Sequence, residues 1–599
     1  MAESTSTLAQ DVVICGGGLA GLLLARQLRR ELPDLSVTVI ERVPRPLPDG
    51  CHKVGESSVE LGCQYFESLG LAPYLLERHL VKLGLRFFPG GGHLPLHLRT
   101  EIGPCSEPVV RSYQLDRGRL ENDLRDMIQA DGATLIEGSK VTTIELGPAG
   151  SGHVTAEQVA EHVAEHVVAY DGGATGPSGT LRARWLVDAS GRQGLLRKRM
   201  KITRGSPHTA HAGWFRVKGR VDLNDMVPKS ETAWHQRPCA NERWRSTNHF
   251  MGPGYWAWVI PLATGMTSIG VVIHEDTHEF HEVSSLERCR AFLEKHEPVL
   301  ARGLADAEVK DFLCLRKYNN MIARSWSPDR WGIVGEAGAF VDPLYSPGSD
   351  FITFANCFTT ELMRMDLAGE DIAQQVLRYN GQYRAFVSST TELFRTAAPI
   401  YGHPDAMTAK IYWDNFTYWS YTSQYYQQEV WKWLPDEHRP YDDIGRRFVE
   451  YATSANALLR AWAELAPPVI APVMRAIPAF PSILVEAHIA AGQKLTRPDA
   501  QAYVEMRIGQ AREVLGELLL RIVQELGPEH GRDLLERVHY SEWSFSVPPE
   551  RLELEALDSR TRRKQLPEIA RDIERNLGGV KRHAQAEAAR GLLVQAATA

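Results

Sequence analysis

Two clusters of residues have the types and spacing that chemistry needs. The first is Gly16, Gly18 and Gly21, a G-x-G-x-x-G spacing. There Gly16 would make a tight turn, Gly18 would let the backbone approach a pyrophosphate, and Gly21 would let helix pack on strand. Glu41 follows Gly16 by about 25 residues, near the spacing of the acid that grips a ribose hydroxyl in an adenine-dinucleotide site. The phosphates would rest on the N–H groups and positive dipole end of the helix that the motif opens. The second cluster is GEAGAFVDPLYSPGSDF, residues 335–351. Its Gly335-Glu336-Ala337-Gly338 segment can bring backbone and a carboxylate to a polyol chain, and Asp342-Pro343 turns toward a helix beginning near Ser349. The N–H groups of Gly348 and Ser349 would then face a reaction centre from a helix N-terminus, where a small anion such as chloride can be held.

Other residues have a chemical and a plain reading side by side. Gly55, Glu56 and Ser57 could let backbone touch a flat ring system, or Ser57 or Ser58 could simply cap the helix after them. Lys82, in a second helical piece (APYLLERHLVKLGLRFF), reads on its own as a solvated surface amine. Trp256 and Trp258 alternate along a strand and on that ground share a core face. Asp188 ends a strand at the switch point of a parallel sheet, where cofactors lie. His162 and His166, four apart in the repeat AEQVAEHVAEHV, could face a metal together, but no third ligand is in sight and the repeat reads as a surface excursion. No metal site is expected. Between Tyr412 and Trp433 aromatic residues crowd the sequence, with Tyr412, Phe416 and Trp419 on one helical face; that face packs on the core or walls a substrate cavity.

The elements that must position these residues follow from periodicity. Asp11 to Cys15 and Ser36 to Ile40 are short apolar runs that read as buried parallel strands, with a helix from Leu19 to Arg29 between them. A helix over 111–130 is opened by Asp116, and strands are expected over 134–137, 141–146 and 183–188. Residues 201–324 alternate apolar runs with turns, as an antiparallel substrate layer does. From about 373 onward the pattern is helical, its boundaries marked by prolines at 399, 404, 435, 440 and near 467. The fold class is therefore α/β. It comprises a doubly wound Rossmann-like cofactor domain (1–200 and 325–372), an inserted antiparallel layer (201–324) and a C-terminal helical domain (373–599), a candidate substrate lid. The chain has 599 residues, 43% hydrophobic and 24% charged, with a net charge of −7 and no block of like charge. Nucleic acid and anionic membrane are thereby disfavoured as partners. Eight cysteines without metal spacing and a start lacking a basic, apolar leader lead us to expect reduced thiols and a cytoplasmic location.

Taken together, the loop 16–21, the segment GEAGAFVDPLYSPG and above all GYWAWVIPL resemble the flavin-dependent halogenases. The family's Trp-x-Trp-x-Ile-Pro signature stands here as Trp256, Trp258, Ile260 and Pro261, and its Phe-x-Asp-Pro-x-x-Ser-x-Gly signature as Phe340, Asp342, Pro343, Ser346 and Gly348. The resemblance places the family's essential lysine at Lys82. It implies FAD, used as FADH2 with dioxygen and chloride or bromide. Halide attacks a flavin C4a-hydroperoxide, and the hypohalous acid formed is aimed by the lysine. The two tryptophans would keep organic substrate away from the peroxide. As in other two-dinucleotide-fold flavoproteins, Arg111 and Gln114 are candidates for the flavin side. The resemblance also implies a small aromatic substrate, free or carrier-tethered, and a separate flavin reductase. Tryptophan-type members carry a glutamate where this chain has Tyr345, which points toward phenols or pyrroles. Pro347 offers no N–H to a halide. The rival reading is a flavin monooxygenase or dehydrogenase on the same fold without halide chemistry.

Overall fold

A computed structural model describes residues 8–48, 53, 55–147, 166–174, 176–578 and 591–596. The N-terminal strand Leu8–Cys15 is the centre of an eight-stranded sheet. It pairs in parallel with Val37–Glu41 on one side and Gly179–Asp188 on the other. Thr134–Glu137 and Trp331–Ile333 extend the parallel core outward, and the pair Lys140–Glu145 and His166–Asp171 adds antiparallel strands. Val12, Val13 and Ile14 are fully buried, as both-face coverage of a parallel sheet demands. The helix Leu19–Glu31 covers one face and packs on Arg117–Ala130 and Gly348–Leu367.

The second sheet also has eight strands, in the order Val309–Leu315, Ala210–Lys218, Met266–His274, Tyr255–Pro261, Thr247–Gly252, Leu85–Pro89, Glu101–Gly103 and Met474–Ala476. Its first five strands form the expected antiparallel layer. The layer also takes strands from both neighbouring regions, and two of these junctions are parallel. The register sets Trp256 opposite Val272 and Trp258 opposite Gly270. Gly270 is required there, because a Cβ at that position would lie 2.1 Å from the Trp258 ring.

Beyond Leu367 the described chain is chiefly helical, with long helices Ala373–Arg395, Pro404–Thr417, Pro435–Leu465 and Arg497–Arg537. Pro404 and Pro435 open helices as expected, whereas Pro440 lies inside one. As the sixth helical residue it forgoes one i→i−4 hydrogen bond. The third long helix is reached through a wide π-helical turn, Tyr418–Thr422, that continues directly from Pro404–Thr417. Such turns splay side chains off the regular helical register. Among the described residues, no helix is long and apolar enough to cross a membrane. Within the histidine repeat, His162 lies outside the described residues. His166 is buried in a strand and makes hydrogen bonds with backbone groups of Gly147 and Arg330.

Candidate active site

Two cavities meet at the junction of the sheets and the helical region. The first, about 860 Å³, is lined by Gly16, Gly18, Glu41, Ala189, Ser190, Glu336 and Pro343. Gly16 has φ +124°, and a Cβ there would lie 2.4 Å from the Ala189 carbonyl oxygen; a Cβ on Gly21 would meet the Gly16 carbonyl at 2.1 Å. Gly18 has open space beside it, with only the Lys53 amine at 4.0 Å. No side chain caps the helix that starts after Gly18, so its first-turn N–H groups face the cavity without a side-chain partner. Glu41 accepts from the Gly17 N–H at 2.6 Å and the Val43 N–H at 2.9 Å. Each carboxylate oxygen keeps a further lone pair for a ribose hydroxyl. Lys53, Arg117 and Arg192 add positive charge to the wall. Glycine cradle, uncapped helix, acid and cations together suit an extended dinucleotide, and FAD fits this donor set.

Farther along the same cavity stand Trp214, His249, Trp256, Trp258 and Ser57, then Ser346, Gly348 and Ser349 at the start of the helix Gly348–Leu367. Trp256 and Trp258 lie 5.6 Å apart between ring centroids, and the Trp258 indole N–H donates to the Ser268 hydroxyl at 3.1 Å. Ser346 has φ +59°, a conformation that costs a non-glycine residue about 1–2 kcal/mol. The strain sets its hydroxyl 2.9 Å from that of Ser57. The Ser349 hydroxyl is buried and has no hydrogen-bond partner among the described residues.

The second cavity, about 1050 Å³, is walled by Lys82, Tyr345, Phe354, Phe386, Asp414, Tyr418, Trp419 and Tyr421, among others. Pro347 lines both cavities. Lys82 is 1% exposed and follows a two-residue strand rather than sitting on a helix. Its Nζ donates to the Ser57 hydroxyl at 3.0 Å and the Ser58 carbonyl at 2.7 Å. An amine that faces one cavity is thus bonded to a hydroxyl lining the other. Burial lowers the Lys82 pKa to about 8, against the opposing pull of Glu60. A neutral amine making those two bonds keeps its lone pair for a third direction. Asp350 accepts from the Gly62 N–H at 3.0 Å and the Tyr418 hydroxyl at 3.0 Å, and burial raises its pKa to about 8.

A family described as FAD binding domain matches residues 9–344. Flavin-dependent halogenase chlA of Dictyostelium discoideum is 30% identical over 434 residues, covering 68% of this chain and 69% of that protein. The chain belongs to the flavin-dependent halogenase family. Flavin-dependent halogenase armH5 of Armillaria mellea is 27% identical over 57% of this chain and 61% of its own length. In fold the chain is similar to halogenase PltM, solved with phloroglucinol and FAD, with a TM-score of 0.59 at 14% identity, over 84% of this chain and 96% of that one. It is also similar to a flavoprotein/dehydrogenase from Cytophaga hutchinsonii, with a TM-score of 0.54 at 18% identity, covering 76% of this chain and 98% of the other. The protein is accordingly an FAD-binding enzyme.

Of the residues expected to serve this halogenase fold, Gly16, Gly18, Glu41, Gly55, Glu56, Ser57, Trp256, Trp258, Glu336, Pro343, Ser346, Gly348 and Ser349 line the first cavity. Four do not. Arg111 is exposed, and Arg117, at the start of the capped helix, lines the wall instead. Gln114 sits behind the wall, donating to the Thr247 hydroxyl at 2.9 Å. Asp188 turns its carboxylate to the N–H groups of Ser190 and Leu196, at 3.0 and 2.7 Å, so it shapes the turn that lines the cavity without facing it. Asp342 is fully buried beneath, 3.3 Å from His208 Nε2 and 3.6 Å from His274 Nε2. Burial alone would raise the Asp342 pKa, but the two histidines bring it below the ordinary carboxylate range. Neither Ser57 nor Ser58 caps the following helix, which begins only at Glu60. Sequence reasoning missed His249, which stacks on Phe87 at 4.7 Å and whose pKa burial pushes down to about 3, so it is a neutral wall group. It also missed Asp350, Asp414 and Tyr418, whose role depends on helices meeting across hundreds of residues.

Proposed function

We propose that the enzyme installs chlorine or bromine on an electron-rich aromatic ring, a phenol by preference. Reduced FAD in the first cavity supplies, with dioxygen, the oxidising power that converts halide to hypohalous acid. Gly348 and Ser349 would hold the halide with the N–H groups of a twenty-residue helix's first turn. Trp256 and Trp258 fill the cavity beside that turn and would exclude an aromatic substrate from the place where oxidant forms. Lys82 would take up hypohalous acid passing the Ser57–Ser346 pair and present it to a ring in the second cavity, as a hydrogen-bond donor or a haloamine. The observation that carries this reading is the Lys82 amine, buried, facing the aromatic cavity and bonded at 3.0 Å to a hydroxyl of the first. The phenol preference draws on Tyr345 at the position of a carboxylate base and on the phloroglucinol bound by PltM. A separate reductase would supply reduced flavin.

The test is mass spectrometry of products from reduced FAD, dioxygen, bromide and a panel of phenols and pyrroles. A bromine isotope doublet supports the reading. A gain of oxygen alone would establish the monooxygenase alternative in its place.

A further inference from the structure

The second cavity holds a polar constellation that no step above uses. Tyr345 donates its hydroxyl proton to Asp414 Oδ2 at 2.9 Å. The same oxygen lies 3.0 Å from the Lys410 ammonium, which is fully buried and also donates to Asn456 Oδ1 at 3.4 Å. Asp414 Oδ1, by contrast, is buried and has no partner among the described residues. Asp414 and Tyr345 both belong to the cavity wall, on the same cavity as Lys82. A buried carboxylate oxygen left without a donor costs free energy comparable to a lost hydrogen bond, and that cost is recovered if a ligand hydroxyl supplies the donor. Burial raises the Asp414 pKa against the pull of Lys410, which makes the carboxylate a better proton acceptor than an exposed one.

We propose that Asp414 binds the substrate's phenolic hydroxyl and removes its proton, so that the ring meets the halogenating agent as a phenolate. This rests on the reading that a phenol occupies the second cavity. In the step, the phenol O–H bond breaks, its proton passes to Asp414 Oδ1, and the electron pair stays on oxygen and enriches the ortho and para carbons. One of these carbons bonds to the halogen as the halogen–oxygen bond of hypohalous acid breaks. The hydroxide so released takes the ring proton, giving water, and the product phenolate recovers its proton from Asp414. The carboxylate that tryptophan-type members place in the Asp-Pro segment is thereby replaced by one on the helix Pro404–Thr417, acting on the oxygen rather than on the ring carbon. Tyr345 is its positioning residue.

The experiment compares wild type, Asp414→Asn and Tyr345→Phe on phenols graded in acidity, with reduced FAD, dioxygen and bromide at one pH. Wild-type rates should depend weakly on phenol acidity. Asp414→Asn should lose roughly 10²–10⁴-fold on weakly acidic phenols and recover on phenols already ionised in solution, while Tyr345→Phe shows the same pattern more weakly. An unchanged rate, or an equal loss on every phenol, overturns the inference. A binding measurement on wild type alone guards against a variant that fails to fold. A nitrophenol added below its own pKa should bind with the absorption of its phenolate; binding as the neutral phenol, or none, overturns the inference. If wild type brominates no phenol at all, the substrate reading fails first. Bromination with an indifferent Asp414→Asn sinks only the role of Asp414.

Discussion

The two cavities are built from different materials. The first is shaped largely by backbone: glycines at 16, 18, 335 and 348, an uncapped helix start, and strand ends whose carbonyl and N–H groups set the contour. The second is shaped by side chains, with Phe354, Phe386, Tyr418, Trp419, Tyr421 and Tyr425 around a few buried ionisable groups. The cradle tolerates little variation at Gly16 and Gly335, where a Cβ would lie 2.4 Å from the Ala189 carbonyl oxygen and 2.7 Å from the Ala20 Cβ, whereas a wall of rings can change its ligand one ring at a time. The cofactor end is the more constrained one, and under the proposed function specificity would reside at the other.

Four substitutions sharpen or break this division. Lys82→Ala should lower halogenated product by about 10²–10⁴-fold while flavin titration remains normal; weakened flavin binding in that variant would mean the cavities are not separable. Gly16→Ala should do the converse. Its Cβ has 2.4 Å to the Ala189 carbonyl and a φ of +124°, a strain of about 1–3 kcal/mol, which corresponds to roughly ten- to hundredfold weaker FAD by fluorescence titration. Gly270→Ala presses on the Trp258 ring from 2.1 Å and should cost about 1–3 kcal/mol by thermal unfolding. Displacing that ring should also yield oxygenated side product by mass spectrometry; an unchanged product ratio would show that the indole does not act as a barrier.

The smallest effect concerns pH. Asp350 shifts from 3.8 to about 8, so the folded state holds a proton that the unfolded chain has lost across that window, and stability falls as pH rises through it. Lys82 shifts from 10.5 to about 8; there the unfolded chain holds the extra proton, and stability rises with pH between those values. Asp350→Asn should flatten the melting temperature below about pH 8 and leave the alkaline rise in place. Loss of both slopes would mean that the two groups titrate as one unit. If halogenation needs the neutral amine, the rate should climb as pH approaches about 8.

The same contrast explains what the sequence made legible. Gly16, Gly18, Gly21 and Glu41 are local in the chain, and local spacing dictates a strand, turn and helix, so the cofactor cradle could be read directly. Trp256 and Trp258 needed the register with Gly270 to show why one ring has room. Asp188 ends its strand and Asp342 lies in the turn before the helix Gly348–Leu367, as read, but neither faces the cavity, because composition cannot say that two histidines some 70 and 130 residues upstream will clasp one carboxylate and a serine turn the other. The aromatic run was half legible. Tyr412 and Phe416 went into the core, and the wall was given to Tyr418, Trp419 and Tyr421, because the π-helical turn at Tyr418–Thr422 rotates the helix face partway along. Lys82 was placed by motif alone; its burial comes from the strand pairing of Leu80–Val81 with Tyr113–Gln114, a contact that no periodicity announces.

Met474–Ala476 hydrogen-bonds alongside Glu101–Gly103 as the outermost member of the second sheet. The tail of the chain is therefore sewn into the layer that carries the tryptophans, and it cannot hinge away as a flap without unzipping that seam. Anyone seeking to admit bulkier molecules should reshape individual rings of the wall; trimming the tail would leave a raw sheet edge open to aggregation.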